Sequence, residues 1–271
     1  MKTWLITGAS SGFGRALAED VLAQGDRVIA AARSEQALAE LAAKAPDRVV
    51  PLKLDVRDLG AIGPAIERAG TIDVLVNNAG YSIIGALEET DDAALADVMA
   101  TMYLGPAALT RAVLPQMRAR RAGTIVQITS VGGLTTAPGF GAYCAAKHAL
   151  EGLSECVAKE VAPYGIRMLI VQPGGFRTSL FGHAFKTMAE TPAYAETVGP
   201  TRAYVTAQAG AQAGDPVKAA RAIVASVAAG APTLRLPLGA DAVMLMRGKL
   251  AELAADVDAN EAVANATAFT P

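Results

Sequence analysis

TGASSGFG, residues 7–14, sits between the apolar run TWLIT (3–7) and a helical pattern at 13–24. Its glycines at 8, 12 and 14 permit a tight turn, close backbone approach and close packing of helix on strand. A helix that opens here presents unpaired N–H groups and the positive end of its dipole. Ser10 and Ser11 add hydroxyl donors, and Phe13 flanks them. A strand, this turn and a helix make a cradle suited to a pyrophosphate. The usual dinucleotide fingerprint is G-x-G-x-x-G; the spacing here is the wider T-G-x-x-x-G-x-G. The alternative reading is a glycine turn that binds nothing.

Outward from that turn, short β-prone runs recur at 27–32, 49–54, 73–77, 124–129, 167–172 and 233–238. They are near-continuously apolar, the pattern of strands buried on both sheet faces. Helical patterns lie between them at 34–45, 58–69, 92–120, 142–162 and 216–229. Alternating strands and helices predict an α/β, Rossmann-type, doubly wound parallel sheet of about seven strands flanked by helices. No repeat or linker divides the chain, so 1–271 reads as a single domain. Residues 179–214 break the rhythm and read as a substrate-binding insertion or lid. Residues 249–271 start helical and end loosely.

Hydrophobic residues make up 52% of the 271 positions but aromatics only 5%. Mean hydropathy is +0.31. Alanine and glycine supply much of that, which suits close helix–sheet packing. The net charge of −2, with no basic tract, argues against a nucleic-acid partner. No apolar run reaches the ~18 residues of a membrane span, so no membrane partner is expected. The N-terminus lacks a signal peptide's h-region. Cys144 and Cys156 would stand ~18 Å apart along one helix and cannot pair there. A reducing cytoplasm is the expected setting. His148 and His183 have no partner pattern for a metal, and no metal site is expected.

Four further motifs follow in order: NNAG (77–80), Ser130, Tyr143 with Lys147 four residues later in AYCAAKHALEG (142–152), and PGGFRT (173–178). Taken alone, a tyrosine and a lysine one turn apart usually form a solvated flank. Together with the wide glycine spacing, the set resembles the classical short-chain dehydrogenase/reductase (SDR) family across residues 3 to 240. FGAYCAAKHALEGLSE and PGGFRTSL look like the retinol and 17β-hydroxysteroid dehydrogenase-like branch.

The resemblance implies a nicotinamide dinucleotide on the glycine turn. Asp55, in LDVRD, would accept from the adenine amino group beside the Val56 backbone; the alternative is a helix N-cap, a role open to Asp58 too. Asn78, Ala79 and Gly80 would pass the cofactor ribose, mostly through backbone. Arg33 and Ser34 end the second strand where an acid would grip NAD; a guanidinium suits the 2′-phosphate of NADP. NADP(H) is therefore preferred, with NAD(H) possible because position 11 is serine where many NADP-using relatives carry a base. Arg33 as a solvated helix-start residue is the alternative. Pro173, Gly174 and Thr178 would hold the carboxamide, with Phe176 packed nearby.

Tyr143 would be the acid/base, Lys147 would lower its pKa and hold ribose hydroxyls, and Ser130 would steady the substrate oxygen. Tyr81, Ile83, Leu134, Phe140, Phe181, Phe185 and Met188 are the candidate substrate wall. Their apolar character suits a hydrophobic ketone, aldehyde or alcohol. One position departs from the family: TMYLG places Met102 where many members carry an asparagine that holds a relay water. The implied reaction is carbonyl–alcohol interconversion. A low-turnover dinucleotide sensor or partner protein, and a non-net-redox epimerase or dehydratase, remain alternatives. A homo-oligomer, dimer or tetramer, is implied through the helices at 92–120 and 142–162.

Overall fold

The computed structural model describes residues 1–178, 180 and 185–269. Its central sheet has seven parallel strands: β1 Thr3–Thr7, β2 Arg27–Ala32, β3 Val49–Lys53, β4 Val74–Asn77, β6 Gly123–Ile128, β7 Ile166–Pro173 and β9 Arg235–Leu238. The order is β3-β2-β1-β4-β6-β7-β9. Alternation along β1 explains the layers. Trp4 and Ile6 join one core with Leu17, Val21 and Ile223. Leu5 joins the opposite core with Ile62, Leu109 and Met117. Period-two alternation between two apolar cores is what makes the strands read as continuously apolar.

The chain winds outward from β1 to β3, then returns and winds the other way from β4. The switch between β1 and β4 opens a crevice at the strand C-termini. Around the sheet lie α1 Gly12–Ala23, α2 Glu35–Lys44, α3 Leu59–Ala69, α4 Asp92–Met99, α5 Gly105–Arg120, α6 Gly141–Val161 and α8 Pro216–Ala228. Side-chain caps fix several starts: Ser34 accepts from Ala37 N, and Asp58 from Ala61 N.

Four features differ from the sequence reading. The helix expected at 92–120 is interrupted by a π-turn, Ala100–Leu104, which carries Met102. That run, Asp92–Arg120, is long and apolar enough to cross a membrane by length and composition, contrary to expectation. Its Leu109, Val113 and Met117 nevertheless pack into the core under the sheet. A second sheet pairs β5 Ser82–Ile84 with β8 Phe185–Thr187, and α7 Gly199–Gln208 follows in the insertion. Finally, α9 spans Ala240–Asn265, starting before the expected helix, with Ala242 its only buried residue. The two cysteines are free, Cys144 buried and Cys156 exposed. His148 Nδ1 contacts the Cys144 carbonyl oxygen at 2.9 Å.

Candidate active site

The glycine turn is shaped by contacts that exclude side chains. Gly8 and Gly12 have φ of +66° and +53°, which glycine adopts freely. A Cβ on Gly14 would lie 2.2 Å from the Gly8 carbonyl oxygen and 2.6 Å from Asn78 Nδ2. Asn78 braces the turn from beneath: its Nδ2 donates to Thr7 O at 2.8 Å. Thr7 Oγ1 accepts from the N–H groups of both Asn78 and Ala79. Ser11, at the N-cap of α1, makes no side-chain cap. The first N–H groups of α1 are thus left open toward a crevice of about 420 Å3. This cradle fits a dinucleotide's pyrophosphate.

That crevice gathers most of the expected cofactor residues: Gly8, Ser10, Ser11, Gly12, Phe13, Arg33, Asp55, Val56, Asn78, Ala79, Gly80, Tyr143, Lys147, Pro173, Gly174, Phe176 and Thr178. Two others lie off it. Gly14 is buried behind the turn, and Ser34 serves as the α2 cap. The Asn78 side chain braces the turn, a role the sequence reading did not give it. Phe13 and Phe176 face each other with centroids 5.1 Å apart. Asp55 does not cap α3; Asp58 does. Asp55 instead pairs with Arg57 at 2.5 Å, which keeps its carboxyl below the usual range.

The substrate wall needs correction. Tyr81 lines the crevice, but its hydroxyl donates to Asp97 at 2.6 Å and Lys186 sits 4.3 Å over its ring. Among the described residues, Ile83, Leu134, Phe140, Phe185 and Met188 do not line it. Ile83 is fully buried in a cluster that includes Met102 and Tyr143, with Phe140 and Met188 packed against it. Phe185 packs in a neighbouring cluster with Phe140. Apolar residues close to a motif in sequence were drawn into packing beneath the site. Phe181, like His183, lies outside the described residues. Beside Tyr81 the crevice is lined by Thr101, Met102, Ile128 and Leu180, with Asp97 and Lys186 at one side.

Asp97 organises that side. It receives Arg57 at 2.6 Å and Lys186 at 3.0 Å as well as Tyr81. Although partial burial opposes it, these donors hold the Asp97 carboxyl far below the usual range. Sequence reasoning missed Arg57, Asp97 and Lys186, because the three lie far apart in sequence except for Arg57, two residues after Asp55.

Ser130, Tyr143 and Lys147 converge in the same crevice. Ser130 follows β6, and its Oγ accepts from Gly132 N at 3.0 Å. The glycines after it let the loop press on α6: a Cβ on Gly132 would lie 3.1 Å from the Tyr143 ring. Tyr143 stands edge-on to Phe140, centroids 6.1 Å apart. Burial raises its pKa to about 12, against the lowering effect of the Ser130 hydrogen bond. The lowering by Lys147 expected from sequence is not what this arrangement does. Lys147 Nζ donates to the Ile128 carbonyl at 2.9 Å and lies 5.8 Å from the tyrosine ring centroid. Met102 is buried, its sulfur near Gly80, so no polar side chain stands at that position.

A family model described as short chain dehydrogenase matches residues 2–189. The chain belongs to the short chain dehydrogenase family. A Botryotinia fuckeliana protein named Oxidoreductase BOA17 is 40% identical over 258 residues, covering 93% of each chain. The 3-ketodihydrosphingosine reductase of Bacteroides thetaiotaomicron is 41% identical over 174 residues, 64% of each chain. A crystal structure of a short-chain dehydrogenase from Streptomyces avermitilis matches with a TM-score of 0.92 at 49% identity, over 99% of this chain and 100% of that one. The chain is thus an NAD(P)-dependent oxidoreductase of the short chain dehydrogenase family.

The buried lysine of this short chain dehydrogenase has a consequence for stability. Burial lowers the Lys147 pKa from 10.5 to about 8, only partly opposed by the Glu151 charge. Between those values the unfolded chain binds more protons than the folded one, so stability rises with pH. Lys147→Met has no titrating group there. Wild type should therefore gain on the order of 3 kcal/mol relative to Lys147→Met as pH rises from about 8 to 10.5. Denaturant titrations across that window would measure it; a pH-independent difference would contradict the burial. The raised Tyr143 pKa, common to both proteins, cancels in the comparison.

Proposed function

We propose that the protein is an NADP(H)-preferring oxidoreductase that interconverts a hydrophobic ketone or aldehyde and its alcohol, with Tyr143 as acid/base. The observation that carries this reading is that Ser130, Tyr143 and Lys147 line the same crevice as the glycine turn. A nicotinamide dinucleotide held there supplies or takes up the hydride. Its pyrophosphate suits the α1 N-terminus with Ser10 and Ser11; its ribose and carboxamide suit Lys147 and the Pro173–Gly174 turn with Thr178.

This chain's own residues handle the proton. With its pKa near 12, Tyr143 keeps its proton at neutral pH and donates it to a carbonyl oxygen. Ser130 Oγ is oriented by Gly132 N–H, and its O–H, which meets the Tyr143 hydroxyl, turns to the substrate oxygen. Lys147 spends one of its three donors on Ile128 O, leaving two for ribose hydroxyls.

Arg33 on the crevice wall, with no acid beside it at the end of β2, supports NADP(H) over NAD(H). Apolar Met102, Ile128 and Leu180 in the wall support a hydrophobic substrate, as does likeness to a 3-ketodihydrosphingosine reductase. The two free thiols fit a cytoplasmic setting, and we place a homo-oligomer contact on α5 and α6. A second reading, a dinucleotide sensor with little turnover, is favoured by Met102 alone, because a thioether holds a relay water poorly.

The cofactor assignment is tested by Arg33→Ala. Removing a charge-assisted pair to the 2′-phosphate should raise KM for NADPH by roughly 10- to 100-fold and leave KM for NADH nearly unchanged. Equal changes for both cofactors would remove Arg33 from the assignment.

A further inference from the structure

Glu151 lies one helical turn beyond Lys147, on the same side of α6, and is 5% exposed. It does not line the crevice, yet it touches the elements that do. Its Oε1 accepts from Thr129 Oγ1 at 2.6 Å and from Gln172 Nε2 at 3.1 Å. Thr129 directly precedes Ser130, and Gln172 directly precedes Pro173. Its Oε2 faces Arg235 at 3.4 Å, from β9, and Arg235 also pairs with Glu155. A Cβ on Gly133 would lie 2.8 Å from Glu151 Cγ and 3.3 Å from the Lys147 carbonyl oxygen, so the loop after Ser130 closes directly on this turn.

The fold alone does not require a carboxylate here. β6 and β7 are already joined by their backbone ladder from Gly123–Ile166 to Ile128–Val171. An apolar side chain of similar size would cost less to bury than an ion. The carboxylate is placed where β6, β7 and α6 deliver their functional residues.

We propose that Glu151 is a positioning residue, which from behind the crevice holds the Lys147 ammonium, Ser130 and the Pro173–Gly174 turn in one arrangement. The proposal rests on the reading of Ser130, Tyr143 and Lys147 as the reacting set. The charged groups that face Glu151 are Lys147 and Glu155 on α6 and Arg235 on β9; β6 and β7 contribute only the neutral Thr129 and Gln172. Its charge favours the Lys147 ammonium; burial pushes the Glu151 carboxyl itself above the usual range, opposed by the Thr129 hydrogen bond, Arg235 and the Gln172 hydrogen bond.

The test is the pH titration of Lys147 itself, by competitive acetylation with acetic anhydride and mass spectrometry of the Lys147 peptide. It needs no substrate and no turnover. Glu151→Gln keeps an acceptor for Thr129 and removes the charge; it should lower the Lys147 midpoint by about one pH unit. Glu151→Asp, which restores the charge, should bring the midpoint back toward wild type. Glu151→Met, an apolar side chain of similar length, also removes the charge and should lower the midpoint by a similar amount; it serves if Glu151→Gln does not fold. An unchanged Lys147 midpoint in the folded Gln variant, or in Glu151→Met if only that one folds, would overturn the proposal. If the midpoint shifts but wild type reduces no carbonyl, the coupling stands and the assigned reaction falls.

Discussion

Tyr143→Phe should lower kcat by roughly 10³-fold, the usual contribution of a positioned acid or base, while NADPH binding stays close to wild type. The substitution removes one oxygen and keeps the ring, so the edge-on packing with Phe140 persists. What is lost is the proton at the substrate oxygen. Ser130 cannot replace it: its hydroxyl can polarise the carbonyl, but a serine hydroxyl is a far weaker acid than a phenol. Lys147 does not replace it in this reading, since one of its donors is on the Ile128 carbonyl and the other two are assigned to ribose hydroxyls. The measurement is steady-state NADPH oxidation with the carbonyl that wild type reduces fastest, together with NADPH titration by fluorescence. A kcat within a few-fold of wild type would show that another group delivers the proton.

Gly14→Ala should have the second largest effect, on cofactor binding and stability together. The added methyl meets the Gly8 carbonyl at 2.2 Å and Asn78 Nδ2 at 2.6 Å. Neither can retreat freely. Gly8 is already in the left-handed region, and Asn78 is fixed to Thr7 by two hydrogen bonds, Asn78 Nδ2 to Thr7 O and Asn78 N to Thr7 Oγ1, with Ala79 N to Thr7 Oγ1 beside them. Overpacking of this kind costs about 3 kcal/mol at its upper range. Displacing the turn also misaims the N–H groups of α1, so NADPH affinity should fall by roughly 100-fold. Gly152→Ala is the control. It adds a methyl on the open face of α6, where nothing lies within 4 Å. There alanine's helix propensity should add about 0.5–1 kcal/mol. Chemical denaturation and NADPH titration of both variants separate the cases; equal stability of the two proteins would refute the close approach.

Much of this architecture is legible in the sequence because strong local signals coincide. Each core strand is a short apolar run between a turn and a helix, and the glycine turn follows the first of them. Ser130, Tyr143 and Lys147 were readable because each lies at the end of a strand or on one helix, at fixed spacing. What was not legible depends on pairing across long sequence separations. β5 and β8 are three residues each, about a hundred positions apart, too short for a period to show. Asp97, Arg57 and Lys186 meet only in three dimensions. The substrate wall failed where proximity in sequence stood in for exposure: Ile83 follows NNAG closely but points into the core. The raised Tyr143 pKa was not legible, because it comes from burial, which only three-dimensional packing sets. Glu151, by contrast, was within reach, as it continues the period from Tyr143 and Lys147; only its burial reveals its part.

The central claim is that this crevice transfers a hydride between NADPH and a carbonyl. The most direct measurement is wild-type turnover with NADPH deuterated at the transferable nicotinamide position, against a panel of hydrophobic ketones and aldehydes, with NADH in parallel. The account predicts an alcohol carrying deuterium at the former carbonyl carbon, formed faster with NADPH than with NADH. Tight NADPH binding with no deuterated alcohol from any member of the panel would contradict it, and would make Met102 the first residue to change.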